Sequence, residues 1–475
     1  MLSPVTNTTS SLPVGPGAAA QGAATALVRV AAPGRLHLGF LDPSASLGRR
    51  FGSLGLVIDG PQTVLELGWA EPGATTDVCS AAPHLAPDHG AAELTRVRAH
   101  LAALRLALGA ATGASSGSGT ATATTSKTST SVCAGAGSER SPSRHDLSRA
   151  LRLHLADALP AHAGLGSGTQ LGLAVGRAFC ELHGIDLPTA QIARITGRGL
   201  RSGVGIAGFD AGGLLLDAGP PPAGVRGAGG PAPLLSRIDL PADWRVLLVL
   251  DPGRRGLSGD DERAAIARLA PLPREAAAEI CHEVVMRVLA GAASDDFAAF
   301  AAGLNRVQQV LGDHFAPAQG GSAYTSPAVA RLLTWLAQQG KPRAAGDQLG
   351  AIDKGRAAGS GSGAAAPCAV GQSSWGPTGF AIYASQADAE AALAAARAAG
   401  QVGMELQVSI VGARSHGARI RRVSATGGGN TSLLEAPSAA SPSIDANAST
   451  APGAAARGNG NGSGDIQAHR LSQAA

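Results

Sequence analysis

The stretch 160–176, Pro-Ala-His-Ala-Gly-Leu-Gly-Ser-Gly-Thr-Gln-Leu-Gly-Leu-Ala-Val-Gly, runs a glycine loop directly into an amphipathic helix, and the chain around it must fold to suit both. Leu171, Ala174, Val175, Ala178, Phe179 and Leu182 recur at intervals of three and four, so one apolar face anchors the helix in a core to about residue 182. Gly164, Gly166 and Gly168 let backbone approach a ligand closely, and Ser167 and Thr169 can cap the free N–H groups of the first turn. A helix N-terminus of this kind attracts anions, phosphate above all. The spacing departs from two familiar anion loops. A Walker loop needs Gly-Lys-Ser/Thr, whereas Thr169 and Gln170 follow Gly168. A dinucleotide fingerprint needs a strand just before the first glycine, whereas 151–159 reads as helix with Pro160 as its breaker. The plain alternative is a tight helix cap.

The chain has 475 residues, 66 of them glycine and 29 proline, so its packed part is smaller than its length suggests. Segments 1–25, 109–143, 344–367 and 424–475 share a Ser, Thr, Gly and Ala composition and read as a disordered lead, two insertions and a tail. Ordered blocks remain at 26–108, 144–343 and 368–423. The net charge of +4 and the lack of a basic run interleaved with aromatics argue against a nucleic-acid partner. Residues 1–25 have neither a basic n-region nor a long apolar run, so no membrane anchor is expected. Five scattered cysteines without a Cys-x-x-Cys spacing fit a reducing cytoplasm. Only three lysines occur, Lys127, Lys341 and Lys354, all in or beside the low-complexity segments. Positive charge inside the fold must therefore come from arginine, which suits bidentate phosphate contacts.

The first block opens with a strand at 26–31 and continues Pro33-Gly-Arg-Leu-His-Leu-Gly-Phe-Leu-Asp. Alternation places Leu36, Leu38 and Phe40 on one face and Arg35, His37 and Gly39 on the other. Arg35 could hold a phosphate or carboxylate, and His37 could bond a substrate or transfer a proton; a solvated face is the alternative. Segments 52–59 and 63–67 read as two strands joined by a turn at Gly60-Pro61. Further on, a helix ends near Gly197, and a glycine-rich turn carrying Arg198 and Arg201 suggests a second anion site, or a surface turn with solvated arginines. Asp210 precedes the strand 213–217 and could orient a substrate hydroxyl, hold a metal or merely cap. Asp251 ends the buried strand 245–250, where an acid could meet a metal or a ribose. Asp260, Asp261 and Glu262 open a helix, and His282, Glu283 and His314 read as surface or core residues. The last block sets Ser373, Ser374 and Trp375 in a polar turn before a strand, a helix from about residue 386 and a second strand, a βαβ-like closing unit. Trp375 offers a stacking surface or a packed indole.

Pro33-Gly34-Arg35, Pro160 with Gly164-Leu-Gly-Ser-Gly, and Gly376 to Gly379 before a strand are similar to the three motifs of the GHMP superfamily. Arg35-Leu-His-Leu-Gly-Phe-Leu-Asp, Gly164-Leu-Gly-Ser-Gly-Thr-Gln-Leu, Gly203-Val-Gly-Ile-Ala-Gly-Phe-Asp-Ala-Gly-Gly, Gly256-Leu-Ser-Gly and Gly371-Gln-Ser-Ser-Trp-Gly-Pro-Thr more closely resemble β-ribofuranosylaminobenzene 5′-phosphate synthase. The resemblance covers all three ordered blocks. It implies an α+β, two-domain GHMP-kinase-like fold, with a ribosomal S5 domain 2-like N-terminal domain at 26–219 and a ferredoxin-like C-terminal domain at 240–423. It also implies an enzyme of tetrahydromethanopterin biosynthesis, with a homodimer as the candidate assembly. Phosphoribosyl pyrophosphate would react with 4-aminobenzoate or 4-hydroxybenzoate, losing pyrophosphate and carbon dioxide, with inversion and no protein nucleophile. On that basis Gly164, Leu165, Gly166, Ser167, Gly168 and Thr169 would take the pyrophosphate. Arg35 and Arg201 would take phosphate or carboxylate, and His37 the ring substituent, with Ser373, Ser374 and Trp375 nearby. Asp210 and Asp251 would take ribose hydroxyls or Mg2+. An ATP-dependent kinase of the same superfamily is the alternative reading, and a non-catalytic ligand-binding or scaffold protein is a more distant one.

Overall fold

Period-two apolar patterning builds two long strands, β1 (Ala26–Asp42) and β2 (Phe51–Trp69), paired antiparallel over most of their length. The computed structural model describes residues 26–114, 146–225, 228–257, 259–340, 366–424 and 432–435; the expectation for 1–25 and most of those for the insertions and tail lie outside them. β2 is one bent strand, where the sequence suggested two strands and a turn. Its register against β1 slips between Pro33↔Gln62 and Arg35↔Val57, and the residues released there, Ile58 and Asp59, pair with a later strand instead. Pro61 lacks an N–H and sits in the interrupted stretch, where no ladder bond is lost.

The chain continues through β3 (Val78–Ala81), α1 (Pro87–Ala114), β4 (Leu151–Asp157), α2 (Ser167–His183), α3 (Thr189–Ile195), α4 (Val204–Ala211), β5 (Leu214–Asp217) and β6 (Leu234–Ile238). Next come β7 (Arg245–Leu250), α5 (Gly259–Arg268) and α6 (Arg274–Glu283), which passes through a π-helical turn (Val284–Leu289) into α7 (Ala290–Ser294). Then follow α8 (Phe297–Phe315), α9 (Pro327–Gln339), β8 (Ala369–Gln372), β9 (Thr378–Tyr383), α10 (Gln386–Ala398), β10 (Gln407–Ala413), β11 (Arg419–Ser424) and β12 (Ser432–Glu435). The strands run in the order β12-β11-β1-β2-β10-β7-β9-β8, with β4 and β5 also paired to β2.

Several sequence expectations change. Within the expected helix 151–159, residues 151–157 form a strand instead: Leu151, Leu153 and Leu155 alternate inward and the backbone pairs with both β2 and β3. A strand does therefore precede the glycine loop, separated from α2 by residues 158–166. Residues 204–211, beyond the expected turn at Arg198 and Arg201, are helical, and Gly205 and Gly208 pack directly on Thr169 and Val57. The first residues of the expected 109–143 insertion prolong α1, and 432–435 in the expected tail pairs as a strand with β11.

One apolar cluster joins Leu36, Leu54 and Leu56 of β1 and β2 to Leu248 and Phe380 of β7 and β9 under Phe300 and Leu304 of α8. The segments 26–219 and 240–423 thus share a core. A second cluster packs α1 and α2 on β1, β2 and β4; a third packs α9 and α10 on β7 and β9. Buried Asp217 at the end of β5 accepts from the N–H groups of Ser53, Gly203, Val204 and Gly219, so it ties β2 to the start of α4. Asp217→Ala leaves those donors unpaired and should lower stability by roughly 3 kcal/mol in denaturant unfolding. An unchanged midpoint would show that Asp217 carries no such tie.

Candidate functional site

The glycine loop is clamped from two directions. Arg35 of β1 donates its backbone N–H to Leu165 O at 3.1 Å and its Nη1 to Gly164 O at 2.8 Å. From the other side, Ser373 Oγ donates to Gly164 O at 2.8 Å while accepting the His37 N–H at 2.9 Å, and Ser374 N donates to His37 O at 3.1 Å. Gly164 has φ +87°, and a Cβ there would strike the Ser373 carbonyl; glycine is required by both backbone and space. The Ser373 hydroxyl is fully engaged in this clamp and is no nucleophile.

Gly166, with φ +81°, is the N-cap of α2, and no side chain caps the helix. Ser167 and Thr169 do not fill that role. The N–H groups at the head of α2 stay available to an anion, and arginines surround them. A Cβ on Gly168 would lie 3.1 Å from Arg198 Nη1 and 3.5 Å from Arg96 Nη2, and one on Gly166 would lie 3.3 Å from Arg35 Cζ. Arg201 pairs with Glu262 at 2.6 Å. Among the described residues Arg35 Nε, Arg198 Nε and Arg201 Nη1 are buried without a hydrogen-bond partner, which leaves charged donors free for a bound anion. Burial pushes the Arg35 guanidinium down to about 10, with Glu262 acting in the opposite direction. Burial also raises the Glu262 carboxyl, against the pull of Arg201, Arg35 and Trp375. Burial, then Arg96, lowers Arg198.

His37 is 3% exposed, and its ring packs edge-on against Phe40 with centroids 4.5 Å apart. Phe40 was expected on the opposite face; a bulge between His37 and Gly39 reverses the alternation and brings the two rings together. Burial, then the charges of Arg35 and Arg201, hold His37 down at about 3. It is neutral at physiological pH, which leaves its ring able to accept or donate a hydrogen bond without charge. Trp375, 4% exposed, packs edge-on against Phe315 beside the same wall.

The structure thus brings together Arg35, His37, 164–169, Arg201, Ser373, Ser374 and Trp375. It does not bring Asp210 or Asp251 to them. Asp210 sits exposed in the last turn of α4, where Thr189 Oγ1 donates to it at 2.6 Å. Asp251 accepts from Ser326 Oγ, the N-cap of α9, at 2.6 Å and from Gly253 N at 3.0 Å. Both acids serve as local ties. Among the described residues no group of three or more His, Cys, Asp or Glu could hold one metal ion, so the donor set does not form a magnesium cage.

Sequence reasoning missed Glu93, Arg96 and His100 on α1. They share a helical face with the buried Val97, Leu101 and Leu104, and that polar stripe on an inward face was the available signal. Glu93, 2% exposed, pairs with Arg96 at 2.8 Å, and burial followed by Arg198 and Arg96 depresses His100 to about 4. Glu262 was read as a helix opener and is also the partner of Arg201.

The model for the GHMP kinases N terminal domain matches residues 132–213, which include the glycine loop and α2. The fold is of the GHMP-kinase type. A beta-ribofuranosylphenol 5′-phosphate synthase from Archaeoglobus fulgidus is 32% identical over 293 residues, 60% of this chain and 76% of that protein. One of the same name from Methanocaldococcus jannaschii is 27% identical over 58% of this chain and 75% of that protein. The chain belongs to the beta-ribofuranosylphenol 5′-phosphate synthase family and is an enzyme. Looser likenesses to solved structures include a homoserine kinase from Cytophaga hutchinsonii (15% identity, TM-score 0.48, 83% of this chain and 97% of that one). Another is a mevalonate diphosphate decarboxylase from Enterococcus faecalis (14% identity, TM-score 0.49, 84% and 99%). Nothing about the chemistry of this chain rests on them. Among the described residues no helix is long and apolar enough to cross a membrane.

The depressed His37 gives a signed test. An unfolded imidazole takes up its proton near 6.5 and the folded one only near 3, so stability should be complete above pH 6.5 and fall as pH drops toward 3. His100 adds to the same slope. His37→Gln should make acid unfolding between pH 6.5 and 4 shallower; an identical slope would mean that His37 titrates normally.

Proposed function

We propose that the enzyme transfers the ribosyl 5-phosphate group of phosphoribosyl pyrophosphate to 4-hydroxybenzoate or 4-aminobenzoate, with loss of carbon dioxide and pyrophosphate. The observation that carries this reading is the arginine cradle: an uncapped helix N-terminus whose glycines lie against Arg35, Arg96 and Arg198, with buried N–H groups on Arg35 and Arg198 that have no partner among the described residues. The phenol in the relatives' name gives 4-hydroxybenzoate precedence over the amine. The product would enter tetrahydromethanopterin biosynthesis.

In this reading the ribose C1–O bond breaks and its electron pair leaves with pyrophosphate. The backbone N–H groups of Ser167 and Gly168 and the arginines stabilise that charge as it develops. The ring carbon bearing the carboxylate forms a bond to C1, and the C–COO− pair then returns to the ring as carbon dioxide leaves. No net proton moves, which suits a histidine held neutral at about 3. Magnesium bound with the substrate would neutralise part of the leaving charge; among the described residues no group of three or more His, Cys, Asp or Glu forms a site for it.

Purified enzyme supplied with magnesium, phosphoribosyl pyrophosphate and carboxyl-labelled 4-hydroxybenzoate should release label only when both substrates are present. Silence with both aromatic acids, together with ATP consumption on a small alcohol, would replace this reading with a kinase. Arg198→Ala should raise KM for phosphoribosyl pyrophosphate about 30-fold, the loss of one charge-assisted contact of roughly 2 kcal/mol, with little change for the aromatic acid. Equal effects on both substrates would place Arg198 elsewhere.

A further inference from the structure

Beside the cradle, between the β1 bulge, α8 and the turn after β8, lies a cavity of about 600 Å³. Its volume is ample for a substituted aromatic ring. His37, Phe40, Phe315, Tyr324 and Trp375 give it aromatic walls. Several amides also line it, but the frame uses them. Asn305 bridges Cys368 O at 2.9 Å and Val370 N at 2.8 Å, and Gln308 bridges Leu38 O at 2.5 Å and Gln372 N at 3.0 Å. Gln372 in turn bonds Gln319 at 2.8 Å, Ser374 O at 2.9 Å and Thr325 N at 2.6 Å. What remains is His37 Nε2, among the described residues the lining side-chain atom that is buried without a partner. Nε2 is among the buried unpartnered atoms and Nδ1 is not, so the neutral ring with its proton on Nδ1 offers a free lone pair at Nε2.

We propose that this cavity is the acceptor subsite, and that His37 Nε2 accepts a hydrogen bond from the hydroxyl or amine para to the acceptor's carboxylate. The assignment rests on the transfer reading above and adds the determinant of acceptor choice. Among the described residues no arginine or lysine lines the cavity, and Asp313 is the charged residue of its wall. It therefore takes the uncharged part of the acceptor, while the carboxylate is left toward Arg35 and Arg201. An unpartnered acceptor nitrogen penalises a ring that brings no donor, because burying Nε2 against it leaves the nitrogen unpaired. Attack on ribose C1 proceeds over the ring face, so a ring lying along the wall shared by His37 and Trp375 can present its reacting carbon to the cradle.

Equilibrium binding of 4-hydroxybenzoate and 4-methoxybenzoate, measured calorimetrically without phosphoribosyl pyrophosphate, tests this directly. The hydroxyl compound should bind about 10-fold more tightly than the methoxy one, as expected for a buried hydrogen bond lost. In His37→Ala that ratio should fall toward one. Ala323→Phe, which fills the cavity from the far wall, should weaken both ligands while leaving inorganic pyrophosphate affinity unchanged, and it keeps the test open should His37→Ala fail to fold. A ratio unchanged in His37→Ala, or undiminished ring binding in Ala323→Phe, overturns the assignment. The two readings fail separately. Ring binding as described without release of carbon dioxide sinks the transfer and leaves the subsite; carbon dioxide release with wild-type acceptor KM in Ala323→Phe sinks the subsite and leaves the transfer.

Discussion

The clamp on Gly164 O holds the site together. One carbonyl accepts from both Arg35 Nη1 and Ser373 Oγ, and the same serine oxygen takes the His37 N–H, so β1, the glycine loop and the turn after β8 are fixed relative to one another by three hydrogen bonds. These segments lie far apart in sequence, and only their meeting makes an anion cradle and an aromatic cavity neighbours across one wall. The core shared by Leu36, Leu248 and Phe300 keeps that meeting rigid. Function here depends on backbone position more than on any one reactive group.

Electrostatics follow from the absence of lysine in the core. Guanidinium groups keep their charge even when burial lowers them, as Arg35 does at about 10, whereas a buried ammonium would more readily lose its proton. Burial first, and then the same arginines that attract an anion, keep a proton off His37 and His100. A neutral imidazole beside a strongly cationic cradle is thus one arrangement, and it separates the duties of the site: charge stabilisation at the head of α2, recognition of an uncharged ring at His37.

Much of this was legible in the sequence. The glycine loop, α2, the Arg35–His37 strand and the Ser373–Trp375 turn carry local signals in glycine spacing and apolar period, and they converge as those signals suggest. β4 was misread because Leu151, Leu155 and Leu159 fit a helix as well as Leu151, Leu153 and Leu155 fit a strand; pairing with β2 decides, and no local term contains it. The Gly60-Pro61 break in β2 looked like a turn for the same reason. Asp210 and Asp251 drew attention as acids at element ends, where an acid more often ties a neighbouring hydroxyl or backbone N–H, as both do here. Arg96 and His100 stayed hidden because α1 reaches the site only through tertiary packing. The wall of the cavity was likewise illegible, since a one-residue bulge after His37 sets which ring faces it.

The most direct test of the account is a crystal structure of the enzyme with pyrophosphate and 4-hydroxybenzoate bound together. The account predicts phosphate density on the N–H groups of Ser167 and Gly168 within reach of Arg198, and the ring lying along the His37–Trp375 wall with its hydroxyl on Nε2. Phosphate bound away from the head of α2, or a ring bound outside the cavity with His37 untouched, would contradict it.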